Sequence, residues 1–136
     1  MKNIEWSDKV SVGVKGFDDD HRQIFDAINK LYDAYDAGCD HEIIGYIIID
    51  LLNFADEHFE TEERVLRQLN YPYIRGQELA HQSFVKQIID IKNNYVTYSD
   101  RSASLKIASL LRDWLIEHII GMDKKYQDFL NSRGVR

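Results

Sequence analysis

The 136 residues suffice for one domain with a continuous core, and 44% apolar against 29% charged residues is a globular balance, not that of a disordered chain. A formal charge of −6, without any Lys/Arg cluster, excludes a nucleic-acid binder, because nothing is present to neutralise phosphates. Cys39 is alone and the amino terminus has no apolar leader, which points to a reducing, cytoplasmic setting, and the most apolar run, 43–52, is too short to cross a membrane and carries Asp50.

Residues 1–16 hold Gly13 and Gly16 and show no helical period, so they are expected to form an ordered N-terminal arm. From there apolar residues recur at spacings of three and four. Phe17, His21, Ile24, Ile28, Leu31 and Tyr35 share one face of a first helix over about 17–37. A second, over 41–69, carries Ile44, Ile47, Leu51, Ala55, His58, Glu62, Val65 and Leu69, and Pro72 stops it. A third, over 74–96, carries Ile74, Gln77, His81, Phe84, Ile88, Ile91 and Tyr95. A fourth, over 102–131, carries Ile107, Leu111, Leu115, His118 and Met122, then Tyr126 and Phe129. Stripes of this kind belong to helices that bury one face. Four of them with short polar links predict an all-α fold, an antiparallel up-down-up-down four-helix bundle, in one domain over 1–136.

A plain bundle avoids polar residues on these stripes, yet His21, His58, Glu62, Gln77, His81 and His118 all lie there. With alternating helix directions, the start of the first and third helices meets the end of the second and fourth. All six residues fall in that half of the bundle. Buried carboxylate is costly without a positive partner, and independent structural histidines have no reason to converge, whereas metal ligands do. His58 and Glu62 are separated by four residues, as are Gln77 and His81, so each pair sits on one helix face. Imidazole with carboxylate suits iron, zinc or copper better than calcium or magnesium. Asp123 lies five residues after His118, about 140° away on an ideal helix. It reaches the same centre only if a bulge or break intervenes, which Gly121 makes easier.

The run Val10–Val14, Phe17-Asp-Asp-Asp-His21, Ile28-Asn29 and Leu31 resembles the opening of bacterial hemerythrins. So do His58-Phe59-x-x-Glu62-Glu63, Tyr71-Pro72, His81-x-x-Phe84 and Trp114-Leu115-x-x-His118-Ile119-x-x-x-Asp123, with Tyr126 beyond. The resemblance spans essentially the whole chain. It implies two iron ions joined by an oxo or hydroxo group, with His21 and His58 on one iron, His81 and His118 on the other, and Glu62 and Asp123 bridging. The family carries a further histidine where this chain has Gln77. That position has three readings: ligation through the amide oxygen, water in the ligand's place, or a core hydrogen bond. His41 starts the second helix at the opposite end and is read as exposed or helix-terminal, so it offers no replacement.

The resemblance further implies reversible dioxygen binding at the iron held by His21 and His58, for carriage, storage or delivery. Leu115, with Ile119, Ile24 and Phe25, is the expected apolar wall of the oxygen pocket, and Tyr126 is expected to hydrogen-bond a bridging carboxylate. Dioxygen is the expected partner, with no nucleic acid and no membrane. The competing functions are a di-iron redox enzyme (a peroxidase, an oxidase or a nitric oxide-handling site) and an oxygen, nitric oxide or redox sensor, either with chemistry altered by Gln77.

Overall fold

Long helices form where the apolar spacing of three and four is sustained. The structure, a computed structural model, describes residues 4–39, 41–98 and 101–136, with the side chains at 41, 91, 92, 95–98 and 101–104 outside the description. Helix α1 spans Lys15–Asp36, α2 His41–Gln68, α3 Ile74–Tyr98 and α4 Arg101–Gly121. α1 packs on α2 and α4, and α3 packs on the same two, so the four close a ring around one core. The links leave room only for reversal, and successive helices run antiparallel. This is the expected up-down-up-down bundle, with no strand among the described residues.

Two reversals are built alike. Gly38 and Asn70 adopt left-handed φ values of 72° and 57°. Behind them, Cys39 N–H reaches back to Ala34 O and Tyr71 N–H to Leu66 O, which satisfies carbonyls that the helix end leaves open. These caps fix where α1 and α2 stop.

The core is apolar over most of its length, with Ile28, Leu31, Ile44, Leu51, Ile88, Ile107 and Leu111 fully buried. Two stripe positions on α2 differ from the expectation. Ile48 and Leu66 are fully buried, while Ile47 and Val65 are half-buried. A strict 3.5-residue count drifts against a helix of 3.6 residues per turn, and the buried face moves on by one residue. Tyr35, Leu69 and Ile74 stand at helix ends and are half-buried. The stripe positions Ile91 and Tyr95 and the exposure of His41 fall outside the described side chains.

α1 begins at Lys15, two residues ahead of the expected boundary. The Asp18 carboxylate accepts from Ser11 Oγ at 2.6 Å and from Val12 N–H at 2.9 Å, tying the arm to the first turn. Val10, Val12 and Val14 are buried at alternate positions, after a short 3-10 turn over Asp8–Val10. Asn29 pins Ile4 through both its backbone groups. Gly13 has φ +70°, and an added Cβ would stand 2.6 Å from the Gln127 side chain, so only glycine fits.

The fourth helix is not continuous over 102–131. α4 ends at Gly121, Met122 departs from helical geometry (φ −122°, ψ −54°), and a 3-10 turn over Asp123–Tyr126 leads into a short α5, Gln127–Ser132. The break is what turns Asp123 inward. A side chain five residues beyond His118 cannot face inward on an undisturbed helix.

A candidate metal centre

Among the described residues, seven polar or charged side chains other than tyrosine are buried: His21, His58, Glu62, Gln77, His81, His118 and Asp123. None exceeds 6% exposure. They come from all four helices and from the first residue past the break, and they converge at one end of the bundle. The break between His118 and Asp123 brings the aspartate back to its own helix's histidine, Oδ1 lying 3.0 Å from His118 Nε2.

The donor atoms fall into two groups. In one, Glu62 Oε1 lies 3.2 Å from His81 Nε2, which lies 3.2 Å from His118 Nε2, which lies 3.0 Å from Asp123 Oδ1. Gln77 Nε2 donates to the same Oδ1 at 3.0 Å. The other group uses the opposite carboxylate oxygens. Glu62 Oε2 is 3.3 Å from His58 Nε2 and 3.8 Å from His21 Nε2, and Asp123 Oδ2 is 3.5 Å from His21 Nε2. Each group is compact enough to hold a metal ion, one being Glu62, His81, His118 and Asp123, the other His21, His58 and Glu62.

Four buried atoms in this cluster have no hydrogen-bond partner: His21 Nδ1, His58 Nε2, Glu62 Oε1 and Gln77 Oε1. A polar atom buried without a partner costs about 1–3 kcal/mol. Two of them, His58 Nε2 and Glu62 Oε1, belong to the facing donor groups, where a cation would satisfy both, whereas His21 Nδ1 is the outer nitrogen of a ring whose Nε2 faces the carboxylates. The donor chemistry agrees. Neighbouring donors around a first-row ion bound at about 2.1 Å lie about 3 Å apart in octahedral geometry. The 3.0–3.2 Å steps from Glu62 through His81 and His118 to Asp123 match that edge.

Outer partners set the imidazoles. His58 Nδ1 donates to Asp20 Oδ2 and His81 Nδ1 to Glu63 Oε2, both at 2.8 Å, which turns each Nε2 lone pair inward. Phe59 stacks on His81 at 3.9 Å and Trp114 on His118 at 4.5 Å, fixing both ring planes. Tyr126 Oη donates to Glu62 Oε2 at 2.7 Å.

The electrostatics reflect a cluster of acids and bases shut off from water. Burial lowers the His58 pKa, but the Asp20 and Glu62 carboxylates outweigh it and raise the group to about 10. His81 is likewise penalised by burial and raised on balance by Glu62 and Glu63. Burial raises Glu62, yet His58 and His81 hold it well below the usual carboxylate range. His21 is lowered, by burial first and by His58 second. Burial, followed by Asp123 and Glu62, pushes the Tyr126 phenol well above its usual value, so it stays a donor.

A family model described as the hemerythrin HHE cation binding domain matches residues 12–130. The chain belongs to the hemerythrin family. A bacteriohemerythrin of Pseudomonas aeruginosa is 29% identical over 128 residues, covering 94% of this chain and 82% of its own. One of Clostridium acetobutylicum is 28% identical over 132 residues, covering 90% and 98%. A crystal structure of wild-type hemerythrin superposes with a TM-score of 0.82 at 25% identity, covering 93% of this chain and 97% of that one.

All seven residues expected at the centre are brought together. Leu115, Ile119, Ile24 and Phe25 are buried in the core, none more than 3% exposed. Asp20 and Glu63 are the participants that the sequence alone did not reveal. Each is the immediate neighbour of an expected ligand, and on a helix the next residue turns by about 100°, toward the adjacent helix's histidine. An acidic residue beside an inward His or Glu was the available signal. No helix among the described residues is long and apolar enough to cross a membrane.

Proposed function

We propose that this cluster holds two iron ions and that the loaded protein binds dioxygen reversibly in the cytoplasm, as a carrier, store or delivery protein. The observation that carries the reading is the division of two buried carboxylates. Glu62 and Asp123 each turn one oxygen toward the His81–His118 group and the other toward the His21–His58 side. Only a pair of ions uses both oxygens of both residues. Membership of the hemerythrin family supports iron as the metal.

The irons, when bound, supply the two electrons that reversible dioxygen binding borrows and returns. The chain does the rest. His21, His58, Glu62 and Asp123 would hold one ion, and His81, His118, Glu62 and Asp123 would hold the other, with Gln77 beside them. Asp20 and Glu63 hold two imidazoles in place, and the Tyr126 hydroxyl, which keeps its proton, orients Glu62. The packed apolar residues around His21 and His118 exclude water, whose protons favour permanent oxidation of the metal.

Anaerobic loading with ferrous salt and subsequent admission of air tests the proposal. Two irons per chain are expected, with a visible absorption band that appears with oxygen and fades on its removal. Fewer than two irons, or a band that does not reverse, overturns it. Leu115 stands one turn before His118 on the same face. Leu115→Ser is expected to accelerate oxidation of the oxygenated protein several-fold, measured by the decay of that band; an unchanged rate removes Leu115 from the wall.

A further inference from the structure

A cavity of about 560 Å³ lies between the first turn of α3 and the break after α4. Tyr73, Arg75, Gly76, Gln77, Met122 and Lys125 are among its lining residues. Gln77 is the one of these that belongs to the metal cluster, and it is 1% exposed. Gly76 keeps the wall thin: the nearest atom to where its Cβ would stand is the Met122 methyl, at 3.6 Å.

Three features make this a way in for an anion. The lining carries two cations, Arg75 and Lys125. Glu78 lies 3.7 Å from Arg75 but is shared with Arg67 at 4.0 Å, and Lys125 makes no ion pair among the described residues. The N-terminal end of the 25-residue α3 adds partial positive charge at the same mouth. At the inner end stands a neutral carboxamide, where the neighbouring ligand positions have imidazole or carboxylate. Its Nε2 donates to Asp123 at 3.0 Å, but its Oε1 has no partner, so the oxygen is not held as Glu63 holds His81.

We propose that the cavity is a binding site for one small monovalent anion, of the size and chemistry of azide or nitrite, which takes the coordination position that Gln77 holds only weakly on the His81–His118 side. The site rests on the two-metal reading above, and it lies across the cluster from the position beside His21 and His58. An anion arriving there exchanges with a neutral amide, which keeps its hydrogen bond to Asp123. No bond is made or broken beyond that exchange of ligands, and no electrons move.

Calorimetric titration with sodium azide of the oxidised protein, at two irons per chain and low ionic strength, tests this. The native protein is expected to bind two azides per chain, one on each side. Gln77→His, which installs a permanent imidazole, is expected to bind one. Arg75→Glu combined with Lys125→Glu, both exposed positions that leave the packing alone, is expected to keep two but to weaken one of them about tenfold, with the difference fading as salt is added. A single azide in the native protein with both irons present overturns the proposal and leaves the functional reading standing. So does a second azide that survives Gln77→His, or one indifferent to the charge reversals. An iron count below two overturns the functional reading, and the anion site with it.

Discussion

The two sides of the metal cluster are built from the same carboxylates but to different tolerances. On the His81–His118 side, successive donors stand 3.0–3.2 Å apart and both rings lie flat against aromatic neighbours, while one imidazole on each side is locked by an outer carboxylate, His81 by Glu63 and His58 by Asp20. On the His21–His58 side the carboxylate contacts stretch to 3.3–3.8 Å, the two rings meet edge-on at 4.7 Å, and His21 Nδ1 has no partner. One side is preset and the other is left slack. A tighter side would need less rearrangement to hold an ion than a looser one. The difference teaches that identical residue types in one buried layer can be given separate tasks by what stands behind them.

The largest way to break the comparison is to remove what both sides share. Glu62→Ala is expected to abolish retention of both ions, a greater loss than the roughly 100-fold that an outer partner can cost, as read by iron content after dialysis. Removing one outer partner at a time sharpens it instead. Asp20→Asn is expected to weaken the ion facing His58 by about 10–100-fold, and Glu63→Gln the ion facing His81 by a similar factor, each leaving the other ion in place. Equal loss of both ions in either variant contradicts the division.

Protons compete for the same positions. In the metal-free protein His58 titrates at about 10 against an ordinary 6.5, so loading must expel its proton and apparent affinity rises with pH, by about tenfold per unit for each proton released. The sign for stability is opposite. The raised His58 stabilises the metal-free fold fully below 6.5, and that contribution is lost as pH climbs through about 10. Glu62, held below its ordinary 4.5, stabilises the fold above that value and stops doing so on acidification. Urea midpoints of chelator-treated protein are therefore expected to peak between those limits. The smallest effect expected is that of Tyr126→Phe. It removes one hydrogen bond to a charged carboxylate and costs about 1.5–3 kcal/mol of unfolding free energy, measured by denaturant titration.

The helices and the convergence of the seven polar side chains were legible because both depend on periodicity. A helical face repeats, so an inward His at 21, 58, 81 or 118 declares itself against apolar neighbours. The discontinuity before Asp123 was legible for the same reason, since its spacing from His118 does not fit the period. The shape of the chain beyond the break was not. The 3-10 turn at Asp123–Tyr126 and the short helix after it depend on contacts with Gly13 and the arm, more than a hundred residues away in sequence. The arm itself hid its buried face, because Val10, Val12 and Val14 alternate over too short a run to stand out. Asp20 and Glu63 stood in the motifs with no role assigned to them. Only the packing of neighbouring helices shows that each reaches a histidine on the next one.

The interruption at Met122 also says where this molecule can tolerate changes of length. Because α4 delivers His118 from its last turn and Asp123 starts afresh after a reset of the backbone, residues gained or lost near Arg101 only lengthen or shorten a rod at its far end. A single insertion between His118 and Asp123 swings the aspartate off its target by roughly a quarter-turn. Relatives and engineered variants should therefore differ freely in length near Arg101 while keeping those five steps unchanged.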